Sequence, residues 1–77
     1  MKIEILGPGC FNCQRLEKNA RKAVKELGID AEIEKVEDVQ EMSSRGVMMT
    51  PALAIDGETK SAGKVLNPEQ IKKLLKE

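Results

Sequence analysis

Residues 6–24 read LGPGCFNCQRLEKNARKAV, a stretch that joins a hydrophobic run to an amphipathic one and places both cysteines of the chain between them. On the N-terminal side, Lys2 to Leu6 alternates charged residues with Ile3 and Ile5 and then meets Gly7-Pro8-Gly9, the pattern of a strand ended by a turn. On the other side, Leu16, Ala20, Ala23, Val24 and Leu27 recur at three- and four-residue spacing, which predicts a helix from about Phe11 with one apolar stripe. Gly28 can end that helix, because glycine tolerates the left-handed conformation that follows a helix terminus. Ala31 to Val36 alternates again and predicts a second strand. A helix of this length can carry the chain across a sheet, so the two strands are expected to lie parallel in a β-α-β unit.

Beyond this unit, Val39, Met42 and Val47 predict a short helix from about Asp38 to Arg45, stopped by Gly46. Pro51 precedes an expected strand over Ala52 to Ile55, and Asp56-Gly57 is a hairpin signal leading into Thr59 to Ala62. Asn67-Pro68-Glu69 reads as a helix start, with Asn67 as cap and Pro68 in the first helical position. Ile71, Leu74 and Leu75 give that last helix its apolar face. The expected order is β-α-β-α-β-β-α, an α/β chain whose four strands form a mixed sheet flanked by helices.

Seventy-seven residues provide for one domain, residues 1–77, with a modest core. Phe11 is the sole aromatic, so that core must be made of Ile, Leu, Val, Met and Ala, and a phenyl ring beside Cys10 stands out. Thirteen Lys plus Arg balance thirteen Asp plus Glu, which gives no general attraction to nucleic acid or anionic membrane. The charges are unevenly placed: Arg15 to Glu26 is mainly basic and Asp30 to Glu41 mainly acidic. Two solvated faces that attract one another, or a steering surface for an acidic partner, would each produce that pattern. No secretory leader or membrane-length apolar run is present in the sequence, so a cytoplasmic protein is expected. There, closely spaced cysteines do chemistry or bind metal more often than they form a permanent disulfide.

The motif is Cys10-Phe11-Asn12-Cys13. Two intervening residues let the sulfurs bond reversibly if the pair occupies the first turn of a helix. The unpaired NH groups and positive end of that helix stabilise a thiolate, the attacking species in disulfide exchange. Cys10 is then the nucleophile, and Cys13, one turn inward, resolves the mixed disulfide. Lys18 and Arg15 can add positive potential or simply solvate the surface. The spacing alone leaves two other readings open: a soft-metal carrier for Cu(I) or zinc, and an interaction module whose thiols sense redox state or merely pack. A copper-chaperone domain runs β-α-β-β-α-β and ends in a strand, whereas this chain is expected to end in a helix.

On the cysteine motif after the first strand and on Thr50-Pro51 before the hairpin, the chain resembles the thioredoxin and glutaredoxin superfamily, most of all its very small archaeal and bacterial thioredoxin-like redox-active disulfide proteins. The resemblance spans essentially the whole chain and implies a minimal thioredoxin-like fold. It also implies a cis Thr50–Pro51 bond with Pro51 packed beside the cysteines, and a substrate-contacting set of Phe11, Asn12, Thr50 and Pro51. From sequence alone, a proline before a strand is usually an ordinary trans turn former, and cis is a minority state that tertiary context must lock. Met48 and Met49 are candidates for the rim of an apolar docking surface or for core filling. Phe11-Asn12 is neither the Gly-Pro of thioredoxins nor the Pro-Tyr of glutaredoxins. Ser61-Ala62-Gly63-Lys64 lacks the paired glycines and following acids of a glutathione-binding turn.

The implied activity is that of a monomeric thiol–disulfide oxidoreductase needing no metal or bound organic cofactor. Its expected partners are a disulfide-containing protein or small disulfide, and a flavoprotein disulfide reductase or other dithiol donor. Glutathione is disfavoured as reductant, and neither nucleic acid nor membrane is expected as a partner.

Overall fold

The computed structural model describes residues 1–9 and 11–76. Seven elements follow in the expected order: β1 (Lys2–Leu6), α1 (Phe11–Leu27), β2 (Glu32–Val36), α2 (Val39–Ser44), β3 (Ala52–Ile55), β4 (Glu58–Ala62) and α3 (Pro68–Lys76). The strands form one sheet in the order β2-β1-β3-β4. β1 pairs parallel with β2 and antiparallel with β3, and β3 pairs antiparallel with β4. This is the mixed α/β sheet expected from the sequence.

Strand alternation divides the interior in two. Ile3, Ile5, Leu53 and Ile55 face one side and pack with Leu16, Ala20 and Ala23 of α1 and Ile71 and Leu75 of α3. Leu6, Ala52 and Ala54 face the other side and pack with Met42 of α2 and with Val47. The two inner strands are therefore covered on both faces, whereas β2 and β4 keep charged residues at the sheet edges, which discourages pairing with another chain. Burying both faces of β1 also buries Glu4, at 3% exposure. Its carboxylate meets the Arg45 guanidinium through two contacts of 2.8 Å, Nη1 to Oε1 and Nη2 to Oε2. Arg45 holds the Glu4 carboxyl below its usual range chiefly by that hydrogen bonding.

Local signals act where they were expected. Asp56 and Gly57 both adopt positive φ, 50° and 85°, as a tight two-residue hairpin requires. Asn67 Oδ1 accepts from the Gln70 amide at 2.8 Å while Gln70 Oε1 accepts from the Asn67 amide at 3.0 Å, a reciprocal cap at the start of α3. Asp38 caps α2 by accepting from the Gln40 amide at 2.9 Å. That cap makes the helix shorter than the expected 38–45 span, with Val39 exposed at its first position and only Met42 turned to the sheet. β2 starts one residue later than expected, and β4 one residue earlier. The last element is helix α3, which separates this order from the strand-terminated order of small metal-carrier domains.

Candidate functional site

β1 runs into Gly7-Pro8-Gly9 at the end of the sheet where the parallel strands finish. Gly7 still donates to Val36 O at 2.9 Å, so the chain leaves the sheet after Gly7. Gly9 takes φ +81°, a left-handed conformation that suits glycine and turns the chain toward α1. The two glycines serve different needs. At Gly7 the demand is space, since a Cβ there would stand 2.1 Å from Cys13 Sγ and 3.2 Å from Cys13 Cβ.

Cys13 lies in the first turn of α1, 6% exposed, on the buried side of the helix shared with Leu16 and Ala20. Phe11 and Asn12 are on the exposed side of the same turn, and the Phe11 ring is 73% exposed. The Arg15 guanidinium stands over that ring, 6.0 Å from its centroid. Cys10, read from sequence as the nucleophile, lies outside the described residues.

The Thr50–Pro51 bond is cis, as the resemblance implies. Pro51 is buried and Thr50 exposed. The Pro51 Cα lies 3.9 Å from the point where a Gly7 Cβ would stand, so Gly7, Cys13 and Pro51 converge on one spot. Pro51 O accepts from the Gly63 amide at 2.9 Å, tying the segment to the end of β4. Met48 and Met49 are 89% and 63% exposed, which rules out core filling for both. The Met49 side chain rests against Gly63, where any Cβ would come within 3.0 Å of Cε. The four substrate-contact residues expected from the resemblance thus lie in two chain segments, the first turn of α1 and the segment before β3, with Cys13 and Pro51 meeting beside Gly7.

Sequence reading did not single out Gly7 as a spacer, nor the cavity beside it. A pocket of about 140 Å³ is lined by Gly7, Gly9, Cys13, Gln14, Lys35 and Glu37, among others. Glu37 brings Oε2 to 3.1 Å from the ideal Cβ position of Gly9. The signal that points to these residues is topological: Lys35 and Glu37 stand at the carboxyl end of β2, beside the carboxyl end of the parallel β1, where open α/β sheets place their sites. A larger depression of about 470 Å³ opens over the Glu4–Arg45 pair on the α2 side, and no described cysteine lines it.

No helix among the described residues is long and apolar enough to cross a membrane. Comparison with known proteins agrees with this arrangement. Residues 1–76 match the family model described as Thioredoxin domain. A protein named Thioredoxin from Methanothermobacter thermautotrophicus is 57% identical over 75 residues, covering 97% of each chain. Another of that name from Methanocaldococcus jannaschii is 47% identical over 74 residues, covering 96% of this chain and 85% of its own. A match over residues 1–76, the four-stranded mixed sheet and a Cys-x-x-Cys motif in the sequence after its first strand agree on one conclusion: the chain belongs to the thioredoxin-domain family and is a thiol–disulfide oxidoreductase.

Proposed function

We propose that Cys10 and Cys13 are the dithiol of this oxidoreductase, with Cys10 as nucleophile and Cys13 as resolving thiol. The observation that supports this reading best is the burial of Cys13 against Gly7 while the neighbouring Phe11 and Asn12 face solvent. A partner disulfide reaching this surface meets the exposed Phe11 and Asn12, while Cys13 is shielded behind them. The Cys10 thiolate attacks one sulfur of that disulfide. The partner's other sulfur leaves as a thiolate and takes up a proton. Cys13 then loses its proton and attacks Cys10 Sγ, which releases the second partner thiol and closes the Cys10–Cys13 bond. Two electrons pass to the partner, and a dithiol donor returns them.

Phe11, Asn12, Thr50 and Pro51 make the docking surface in this reading. Phe11 supplies apolar area, and Thr50 offers backbone groups to an extended segment of the partner. A flavoprotein disulfide reductase or another dithiol donor is the proposed reductant, in preference to glutathione, because Ser61-Ala62-Gly63-Lys64 carries no acids to hold a glutathione amine. The protein is proposed to act as a monomeric, single-domain cytoplasmic carrier, with no metal or organic cofactor in the reaction.

Replacement of Cys13 with Ser tests the assignment. Incubated with a disulfide peptide, Cys13→Ser is expected to accumulate a covalent adduct at Cys10, read by intact mass and peptide mapping, whereas Cys10→Ser forms none. The unaltered protein should show one reversible two-electron transition in dithiothreitol buffers, between roughly −200 and −300 mV. An adduct at Cys13 in the Cys10→Ser protein, formed faster than the Cys10 adduct in the Cys13→Ser protein, would reverse the roles. Absence of any Cys10–Cys13 disulfide would overturn the reading.

A further inference from the structure

The exposed face of α1 carries a pattern that disulfide chemistry does not require. Phe11, Arg15, Lys18, Lys22 and Lys25 follow one another at four- and three-residue steps, which keeps them within about 80° of helical arc. All five are exposed. The stripe begins at the Phe11 ring, beside the proposed site, and runs about 21 Å along the helix.

Within the fold Arg15 lies over the Phe11 ring and Lys22 adds to the positive field at Glu26, but among the described residues none of the four cations pairs with a carboxylate. Lys2, Arg21, Lys35, Arg45, Lys60 and Lys72 each reach a carboxylate. Among the described residues, no ion pair involves Arg15, Lys18, Lys22 or Lys25. The two acids of the helix are engaged elsewhere, Glu17 by Arg21 and Lys35 and Glu26 by Lys72. Nor do the acids of residues 30–41 neutralise the stripe: the contact that crosses between the two charged regions is Lys35 with Glu17, which uses neither.

Helix electrostatics does not account for it either. The macrodipole favours cations in the last turn, which covers Lys25, and disfavours them toward the N-terminus, where Arg15 and Lys18 stand and where the first turn has no acid. Like charges at i,i+3 and i,i+4 repel one another, so the row is a cost to the isolated helix. It is a feature that an anionic counterpart would relieve.

We propose that this stripe is a docking rail for partners carrying an acidic segment next to their reactive disulfide. The proposal rests on the site assignment given under Proposed function, since the rail is useful only if the partner disulfide arrives beside Phe11. About six extended residues span the rail at roughly 3.3 Å each. Four fixed cations facing such a segment raise the encounter rate and orient the partner with its disulfide toward the helix start. The effect must fade with salt, as the screening length falls from about 30 Å at 0.01 M to about 3 Å at 1 M.

The test uses the reduced full chain and three synthetic peptides that share one small cystine loop and differ in a six-residue tail of glutamates, serines or lysines. Single-turnover oxidation is followed by acid quench and mass analysis in 20 mM and 500 mM NaCl, and the readout is each rate divided by that of the serine-tailed peptide. For the unaltered protein, the glutamate tail is expected to react at least tenfold faster than the serine tail in low salt, falling toward equality in high salt, with the lysine tail slower. Lys18→Glu/Lys22→Glu/Lys25→Glu should abolish that advantage. Lys64→Glu/Lys73→Glu/Lys76→Glu makes the same change in net charge away from the stripe and should keep most of it.

Equal rates for glutamate and serine tails in low salt would overturn the proposal. So would equal losses in the two triple variants, which would assign the effect to net charge. A salt-sensitive dimer in sedimentation, abolished by the Lys18/Lys22/Lys25 variant, would assign the stripe to a second copy of the chain and overturn it as well. If the serine-tailed peptide fails to exchange at all, the site assignment itself falls, an outcome distinct from the others.

Discussion

Replacing Gly7 with alanine should damage both stability and exchange, through a contact whose size the structure sets. The new Cβ would stand 2.1 Å from Cys13 Sγ, about 1.5 Å inside ordinary carbon–sulfur contact, and 3.2 Å from Cys13 Cβ. Cys13 cannot retreat far, because it is in the first turn of a helix anchored by buried Leu16 and Ala20. Overpacking of this kind costs about 2–3 kcal/mol. For a chain of this size, that corresponds to a fall of roughly 10–20 °C in the thermal midpoint. Circular dichroism melts and urea titrations of reduced protein measure it. The decisive comparison is a double-mutant cycle with Cys13→Ala, which removes the sulfur that the added methyl group would strike. In that background the Gly7→Ala penalty should shrink to about 1 kcal/mol, the remainder coming from the 3.2 Å contact with the Cβ that stays. A penalty of the same size with and without the Cys13 sulfur would refute the steric argument and move the role of Gly7 to the backbone.

Three further outcomes follow from particular contacts. Arg45→Met leaves the buried Glu4 carboxylate without its partner and should cost about 3 kcal/mol at neutral pH, the lower end for a broken buried pair because Arg45 is partly exposed. In the unaltered protein the Glu4 carboxyl is held below its unfolded value, so the folded state binds fewer protons than the unfolded one on acidification, and this contribution is lost as pH falls below about 5 through the folded value. Arg45→Met should reverse the sign of that slope, and urea midpoints between pH 3 and 7 measure it. Asn67→Ala removes one half of the reciprocal cap on α3 and should cost about 1 kcal/mol, read as a drop of some 4–8 °C in the thermal midpoint. Phe11→Ala with Met48→Ser trims exposed apolar area within the cysteine motif and in the segment before Pro51. Stability should stay within about 0.5 kcal/mol while kcat/KM toward a protein disulfide falls about tenfold, and unchanged kinetics would remove Phe11 from the docking surface and Met48 from its rim.

Local and pairwise information explains how much of this fold was legible without coordinates. Strand β1, the 11–27 helix, the Asp56-Gly57 hairpin and the Asn67 cap depend on residues at most a few positions apart, so periodicity and turn chemistry reveal them. The cysteine motif is local too, and its spacing and place after a strand are visible in the sequence. Val39 shows the limit of local reading: it belongs to the apolar pattern of α2, yet the cap at Asp38 starts the helix with Val39 turned to solvent.

Tertiary structure decided what depends on residues far apart in the chain. Glu4 looks like the polar half of an alternating strand, and only the covering of both faces of β1 makes it a buried partner of Arg45, 41 positions away. Met48 and Met49 could have filled the core or lined a surface, and the packing of Val47 and Pro51 on either side turned them outward. Gly7 reads as part of a turn, but its requirement is the volume taken by Cys13 Sγ, which no glycine-rich pattern encodes. The sequence by itself determined the order of elements and the place of the Cys-x-x-Cys motif between the first strand and the first helix, because both arise from short-range periodicity and spacing. The convergence of Gly7, Cys13 and Pro51 was left to the folded sheet, because it is fixed by excluded volume among segments some forty residues apart.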